Sequence, residues 1–158
     1  FCAKENILFS GQCRNSVTGM EAVAEALNIT ELVIIQSHSY HLDTYFTPVL
    51  NQEGHVCALI LCMDIVSVKS ARDLNEFADK KDIPIINIPL KDAIGTAANP
   101  GSFAANALPL PGVLIGPSHF SDKSIDDRLA DMGVQRIVTP TTQFELSGGS
   151  IHCITNEI

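Results

Sequence analysis

Tryptophan is absent from these 158 residues, tyrosine occurs twice, and basic residues number 10 against 18 acidic ones. A formal charge of −8 leaves no surplus of Lys and Arg to neutralise a phosphate backbone, so nucleic acid is not an expected partner. Long apolar runs are missing: the stretch Val56–Met63 is among the longest and stops at Asp64, well short of the roughly 18 residues a membrane span needs. The first residues lack the basic start and small-residue cleavage site of a secretory leader, which predicts a cytoplasmic chain without a membrane partner. The five cysteines, Cys2, Cys13, Cys57, Cys62 and Cys153, form no CxxC pair, and Cys57 and Cys62 have opposite parity on an expected strand. Reduced thiols follow, without a disulfide framework or a zinc site. The glycine-containing segment Gly95–Ser102 matches neither GxGxxG nor GxxxxGK[ST], which argues against phosphate binding.

What is present is 46% hydrophobic residues, enough to build one substantial core in a single domain over residues 1–158. Their spacing repeats. A short strand around Ile7–Phe9 leads to a helical pattern with Val17, Met20, Val23 and Leu27 on one face, then to an apolar strand at Glu31–Gln36. A second strand at 55–62 precedes a helix capped by Ser67, with Val68, Ala71, Leu74 and Phe77 on its apolar face, then a strand at 83–89. A third strand at 112–116 precedes a helix with Ile125, Leu129 and Met132 inward and Gly133 as its stop, then a strand from Arg136. Ser16-Val17 returns as Ser67-Val68 after about 51 residues, and Leu8, Leu61 and Leu114 fall about 53 apart. The fold class predicted is α/β, built of repeated strand-helix-strand units over 1–54, 55–110 and 111–158.

Each unit is followed by an unusual segment: Ser37–Pro48, Asp92–Gly112 and Thr141–Cys153. In repeat folds such segments converge at one end, which would bring His41, Asp43 and Cys153 together. A thiol beside a cation ionises more readily and becomes a nucleophile; a histidine moves protons, and a carboxylate orients a cationic substrate. On residue chemistry alone two readings stay open: Cys153 as a thiol in a buried last strand, or Cys153 as a nucleophile in a pocket. His38, His55 and His119 show no ligand spacing, and His152, beside Cys153 in an extended segment, is expected to face the opposite side in a structural role.

The closing stretch Gly148-Gly149-Ser150-Ile151-His152-Cys153-Ile154-Thr155 resembles the nucleophile motif of the guanidine-modifying (pentein) superfamily, which includes arginine and agmatine deiminases, amidinotransferases and dimethylarginine dimethylaminohydrolases. Three further segments agree in order. His41-Leu42-Asp43 resembles the family's histidine motif. Arg14 to Gly19 resembles its Arg-Thr-Asn-x-x-Gly segment, with Asn15 and Ser16 departing from it. Phe103–Gly112 is similar to its Ala-Asn-Asn-x-Leu segment, with Ala105 replacing one asparagine.

The resemblance implies a partial β/α propeller whose complete form has five units around a substrate pocket. It implies Cys153 as nucleophile on the guanidinium carbon, His41 as acid and then base, and Asp43 as a ligand of guanidinium nitrogens. Arg14 would bind a substrate α-carboxylate, and Gly148 and Gly149 would let backbone approach the ligand. No metal or organic cofactor is implied. The expected partner is a small cationic guanidine or amidine, and the reaction hydrolysis of a guanidine C–N bond through a thiouronium intermediate. The superfamily carries a further acidic residue ahead of the arginine motif. Glu5 is the nearest acidic residue here but matches no motif and is expected on the surface. That gap predicts a homo-oligomer or a missing N-terminal half. The alternative is a non-catalytic relative, acting as an oligomeric assembly or a cationic-ligand-binding module.

Overall fold

Each sequence repeat forms a parallel β-α-β crossover in the computed structural model, which describes residues 1–155. In chain order the elements are β1 (Ile7–Gly11), α1 (Val17–Ala26), β2 (Glu31–Ile35), β3 (Phe46–Leu50), β4 (Val56–Leu61), α2 (Val68–Lys81), β5 (Ile85–Asn87), β6 (Leu108–Leu110), β7 (Val113–Gly116), α3 (Ser124–Asp131), β8 (Gln135–Val138), α4 (Thr142–Glu145) and α5 (Ile151–Ile154). The three residues that follow the nucleophile-like stretch, Asn156, Glu157 and Ile158, lie outside the described residues.

The sheets regroup the expected boundaries. β3 pairs antiparallel with β4, and β4 parallel with β5; β6 and β7 repeat the antiparallel pair, and β7 and β8 the parallel one. The second and third units therefore start one strand earlier than residues 55 and 111, each as β-β-α-β. The reason is the short turns that join β3 to β4 and β6 to β7, which favour pairing between sequence neighbours. In the first unit β1 pairs parallel with β2, and a single antiparallel bridge, Cys2 to Ile7, stands where the later units have a strand.

The helix ends follow local chemistry. Ser67 accepts from the Ser70 backbone N–H and starts α2, and Ser16 does the same for α1 through Gly19 N–H. Asp82 adopts a left-handed φ of 54° where α2 ends. Gly133, at φ 73°, lets Val134 N–H bond back to Leu129 O beyond the end of α3.

Burial follows the apolar faces in α2 and α3 but not in α1. Leu74, Phe77, Ile125 and Leu129 are buried. In α1 only Met20 and Ala24 are buried, while Val17, Val23 and Leu27 are 37%, 49% and 55% exposed. The two-stranded sheet beneath α1 is too narrow to cover a full helical face. Val68, in the first turn of α2, is also exposed.

The core centres on β4, whose Ala58–Leu61 are fully buried. Phe9 joins the first unit to the second, its ring 4.9 Å from that of Phe46 and 5.5 Å from that of Phe77. Glu5 reinforces the junction and corrects its surface assignment. Its carboxylate accepts from Val56 N–H at 2.7 Å and faces Lys81 Nζ at 3.7 Å. β3 packs beside β6 and β7, bringing the segment before β3 close to the segments before β6 and after β8.

Candidate active site

The turn before β3, the loop before β6 and the turn at α5 meet at Asp43, Asn106 and Cys153. Cys153 Sγ donates to Asp43 Oδ2 at 3.1 Å, and His152 Nδ1 stands 3.1 Å from the same oxygen. Asn106 Nδ2 donates to the Cys153 sulfur at 3.2 Å and to the Asp43 carbonyl at 3.0 Å. Asp43, His152 and Cys153 form one cluster although more than a hundred residues separate the first from the others.

The residues 151–154 make a helical turn, not an extended strand. That corrects the placing of His152 on the opposite side: on a turn, adjacent residues reach the same carboxylate. Asn106 is the local cause, since its Oδ1 accepts the backbone N–H groups of Ser150, His152 and Cys153 at 3.1, 3.0 and 3.3 Å. The two glycines shape this turn and do not line the neighbouring cleft. Gly148 has φ 86°, in the left-handed region. At Gly149 a Cβ would lie 3.0 Å from Cys153 Cβ and 3.1 Å from its Sγ, so the close approach is to the thiol itself.

A cleft of about 610 Å³ opens beside the cluster, lined in part by Arg14, His41, Asp43, His152, Phe9 and Phe46. Cys153 adjoins it through Asp43. Arg14 lies with its guanidinium carbon 3.8 Å from the Tyr40 ring centroid, and Tyr40 is tilted against His41 at 4.7 Å between rings. Tyr40, which the motifs did not single out, therefore organises two cleft residues. Its proximity to His41 in sequence is the only signal that pointed to it. The cleft carries a cation at Arg14 and an anion at Asp43, with apolar walls between.

The electrostatics of the cluster are asymmetric. Burial alone would push the Asp43 carboxyl up, but the hydrogen bonds from His152 and Cys153 outweigh it and hold it below the usual carboxylate range. Burial pushes the Cys153 thiol up, and its hydrogen bond to the Asp43 carboxylate adds to the rise. Without a ligand the sulfur is thus a thiol donating to an anion. Among the described residues no group of His, Cys, Asp and Glu is arranged to hold a metal ion, and no helix is long and apolar enough to cross a membrane.

No protein-family model matches the sequence, and no curated protein matches it significantly. Solved structures do match. ArgZ, an arginine dihydrolase from the ornithine-ammonia cycle in cyanobacteria, aligns over 100% of this chain with a TM-score of 0.76 and 23% identity. AgrE aligns over 94% with a TM-score of 0.74 and 26% identity. SxtG, an amidinotransferase from the saxitoxin biosynthetic pathway of Microseira wollei, aligns over 94% with a TM-score of 0.64 and 20% identity. The chain spans 24%, 20% and 41% of the lengths of those three proteins.

Proposed function

We propose that this chain, which has the fold of the guanidine-modifying superfamily, acts on the guanidine group of an arginine-like molecule. The carrying observation is the contact of Cys153 Sγ with Asp43 Oδ2, at the edge of a cleft that also holds Arg14 and His41. A zwitterionic substrate with a cationic tail suits this charge pattern: its guanidinium pairs with Asp43 and its carboxylate with the planar fork of Arg14.

Substrate entry has a chemical consequence. A guanidinium that takes up the Asp43 carboxylate displaces the thiol from it and brings positive charge to the sulfur, which favours loss of the Cys153 proton. The thiolate then attacks the guanidinium carbon, forming a C–S bond. The C–N bond breaks as the amine departs with a proton from His41. His41 next takes a proton from water, the resulting hydroxide adds to the same carbon, and the C–S bond breaks to return the thiolate as the hydroxyl loses its proton to solvent and becomes the ureido carbonyl. In this reading the α/β units form part of a five-unit ring around the cleft, and further chain or a second copy supplies the remaining acidic ligand.

The test is labelling with 2-chloroacetamidine, an amidine alkylator, against iodoacetamide, with mass mapping of the modified cysteines. Selective, saturable labelling of Cys153 that disappears in His41→Ala supports the reading and leads to an assay of arginine for citrulline and ammonia. Labelling no more selective than that of Cys13 turns the assignment to a non-catalytic relative.

A further inference from the structure

Asn106 sits in a stretch of small residues, Ala104 to Ala107, that is almost wholly inaccessible, and its own side chain is fully buried. A buried amide offers two donors and one oxygen acceptor, and leaving them unmade is costly. Here every group is used across the site. The oxygen gathers three backbone N–H groups of the Cys153 turn, and the two N–H groups divide between the Asp43 carbonyl and the Cys153 sulfur. One side chain therefore joins the two segments that meet at the thiol.

The loop that presents Asn106 is itself held. Arg136 Nη2 donates to Ala104 O at 3.1 Å and to Ser118 O at 2.9 Å, while its guanidinium lies 4.7 Å from the Phe120 ring. Gly116 makes room for it, since a Cβ there would stand 2.2 Å from Arg136 Nη2. Asn106 N–H bonds to Phe103 O at 2.8 Å, closing the loop on itself.

We propose that Asn106 is the positioning residue of the Cys153 site, fixing the helical turn that carries the sulfur and steadying the thiolate through the Nδ2–H donor. The inference rests on the functional reading above only in taking Cys153 as the nucleophile. Asp43 and His152 are the titratable side chains bonded within this cluster. Asp43 disfavours the thiolate as a neighbouring anion, and the Asn106 N–H acts in the opposite sense. Only an amide serves both ends of this arrangement. Aspartate would retain the acceptor for the three N–H groups but lose both donors and add a charge beside the sulfur. Leucine would leave the Ser150 and Cys153 N–H groups without their acceptor, and His152 N–H with only the main-chain carbonyl of residue 106 at 3.4 Å.

The test is the pH dependence of iodoacetamide alkylation at Cys153 in the unliganded protein, which requires no turnover and so is separable from failure of the enzymatic reading. Asn106→Asp is expected to move the profile to higher pH and slow alkylation at pH 8 by about tenfold, the size that loss of one hydrogen bond to a charged group implies. Asn106→Ser, which restores one hydroxyl donor without a charge, is expected to fall between the two. An Asp variant with the parent's profile overturns the proposal. A second measurement covers variants that do not fold: in the parent, the Ser150, His152 and Cys153 amides are expected to exchange hydrogen at least tenfold more slowly than the neighbouring Gly149 amide. Equal exchange also overturns it. Absence of arginine turnover with the Asp-induced shift intact would reject the enzyme and leave Asn106 in place.

Discussion

Cys153 Sγ and Asp43 Oδ2 lie 3.1 Å apart, with the sulfur as donor and the carboxylate as acceptor. This pairing stabilises the neutral thiol in the unliganded chain, because an ionised sulfur would face an ionised carboxylate. Asp43→Asn is therefore expected to speed iodoacetamide alkylation of Cys153 at pH 7 by roughly three- to tenfold. The same variant is expected to lose saturable labelling by 2-chloroacetamidine, which needs the carboxylate. Parallel rate measurements with the two reagents check the opposite signs.

Asp43 also gives the site a direction of acid sensitivity. Its folded carboxyl is held below its ordinary value, so ionised Asp43 stabilises the folded site above that value, and the contribution is lost as pH falls through the folded one. Acidification below about pH 4 is expected to loosen the contacts of Asp43 with His152 and Cys153, before the core unfolds. The His152 ring signals in a pH-titrated proton–carbon NMR spectrum report it; a single transition coincident with global unfolding would contradict this order.

The two adjacent glycines are expected to fail differently when substituted. Gly149→Ala places a methyl against Cys153 Cβ and Sγ, so Cys153 labelling by the amidine reagent should drop more than tenfold while stability changes little. Gly148→Ala meets nothing within 4 Å but must hold φ 86°, at a cost of about 1–2 kcal/mol. Thermal unfolding and labelling measured on both variants separate collision from backbone strain.

Glu5 is expected to matter for stability and not for chemistry. Glu5→Leu leaves Val56 N–H without its acceptor and removes one of the two carboxylates facing Lys81, which keeps Glu31 at 3.3 Å, a loss of about 1–3 kcal/mol. The Cys153 alkylation profile should not move. A change in that profile with stability unaltered would assign Glu5 to the site after all.

Tyr40 is expected to act on affinity. Removing the ring beneath the Arg14 guanidinium in Tyr40→Ala should weaken protection of Cys153 by arginine about three- to tenfold. Protection by a guanidine lacking the carboxylate should fall less. A competition series with the two ligands reads the difference.

The three crossovers were legible because their signals are local: Ser67 caps a helix whose Leu74 and Phe77 recur at helical spacing, and Gly133 ends another. β3 and β6 were harder to read. Pro48 and Pro109 weaken the strand pattern of short segments, and both prolines lie in strands that take part in antiparallel pairs. Motif order singled out Arg14, His41, Asp43 and Cys153; the first three line one cleft, and Cys153 bonds to Asp43 beside it. The shape of the Cys153 turn was not legible, because Ile151 and Ile154 favour an extended reading and the acceptor that bends the turn is Asn106, 44 residues before Ser150. Nor does alternation along α1 disclose that the sheet below it has only two strands.

The loop carrying Asn106 is anchored by Arg136, its amide reaches back to Asp43, and its oxygen reaches forward to Cys153. No single repeat contains all of these parts. A chain emerging from synthesis has an ordinary thiol until the last unit docks, and an ordinary thiol is open to any passing oxidant. Docking gives that thiol a carboxylate acceptor that disfavours its ionised form, so the finished fold quiets by charge a sulfur that it leaves exposed to solvent.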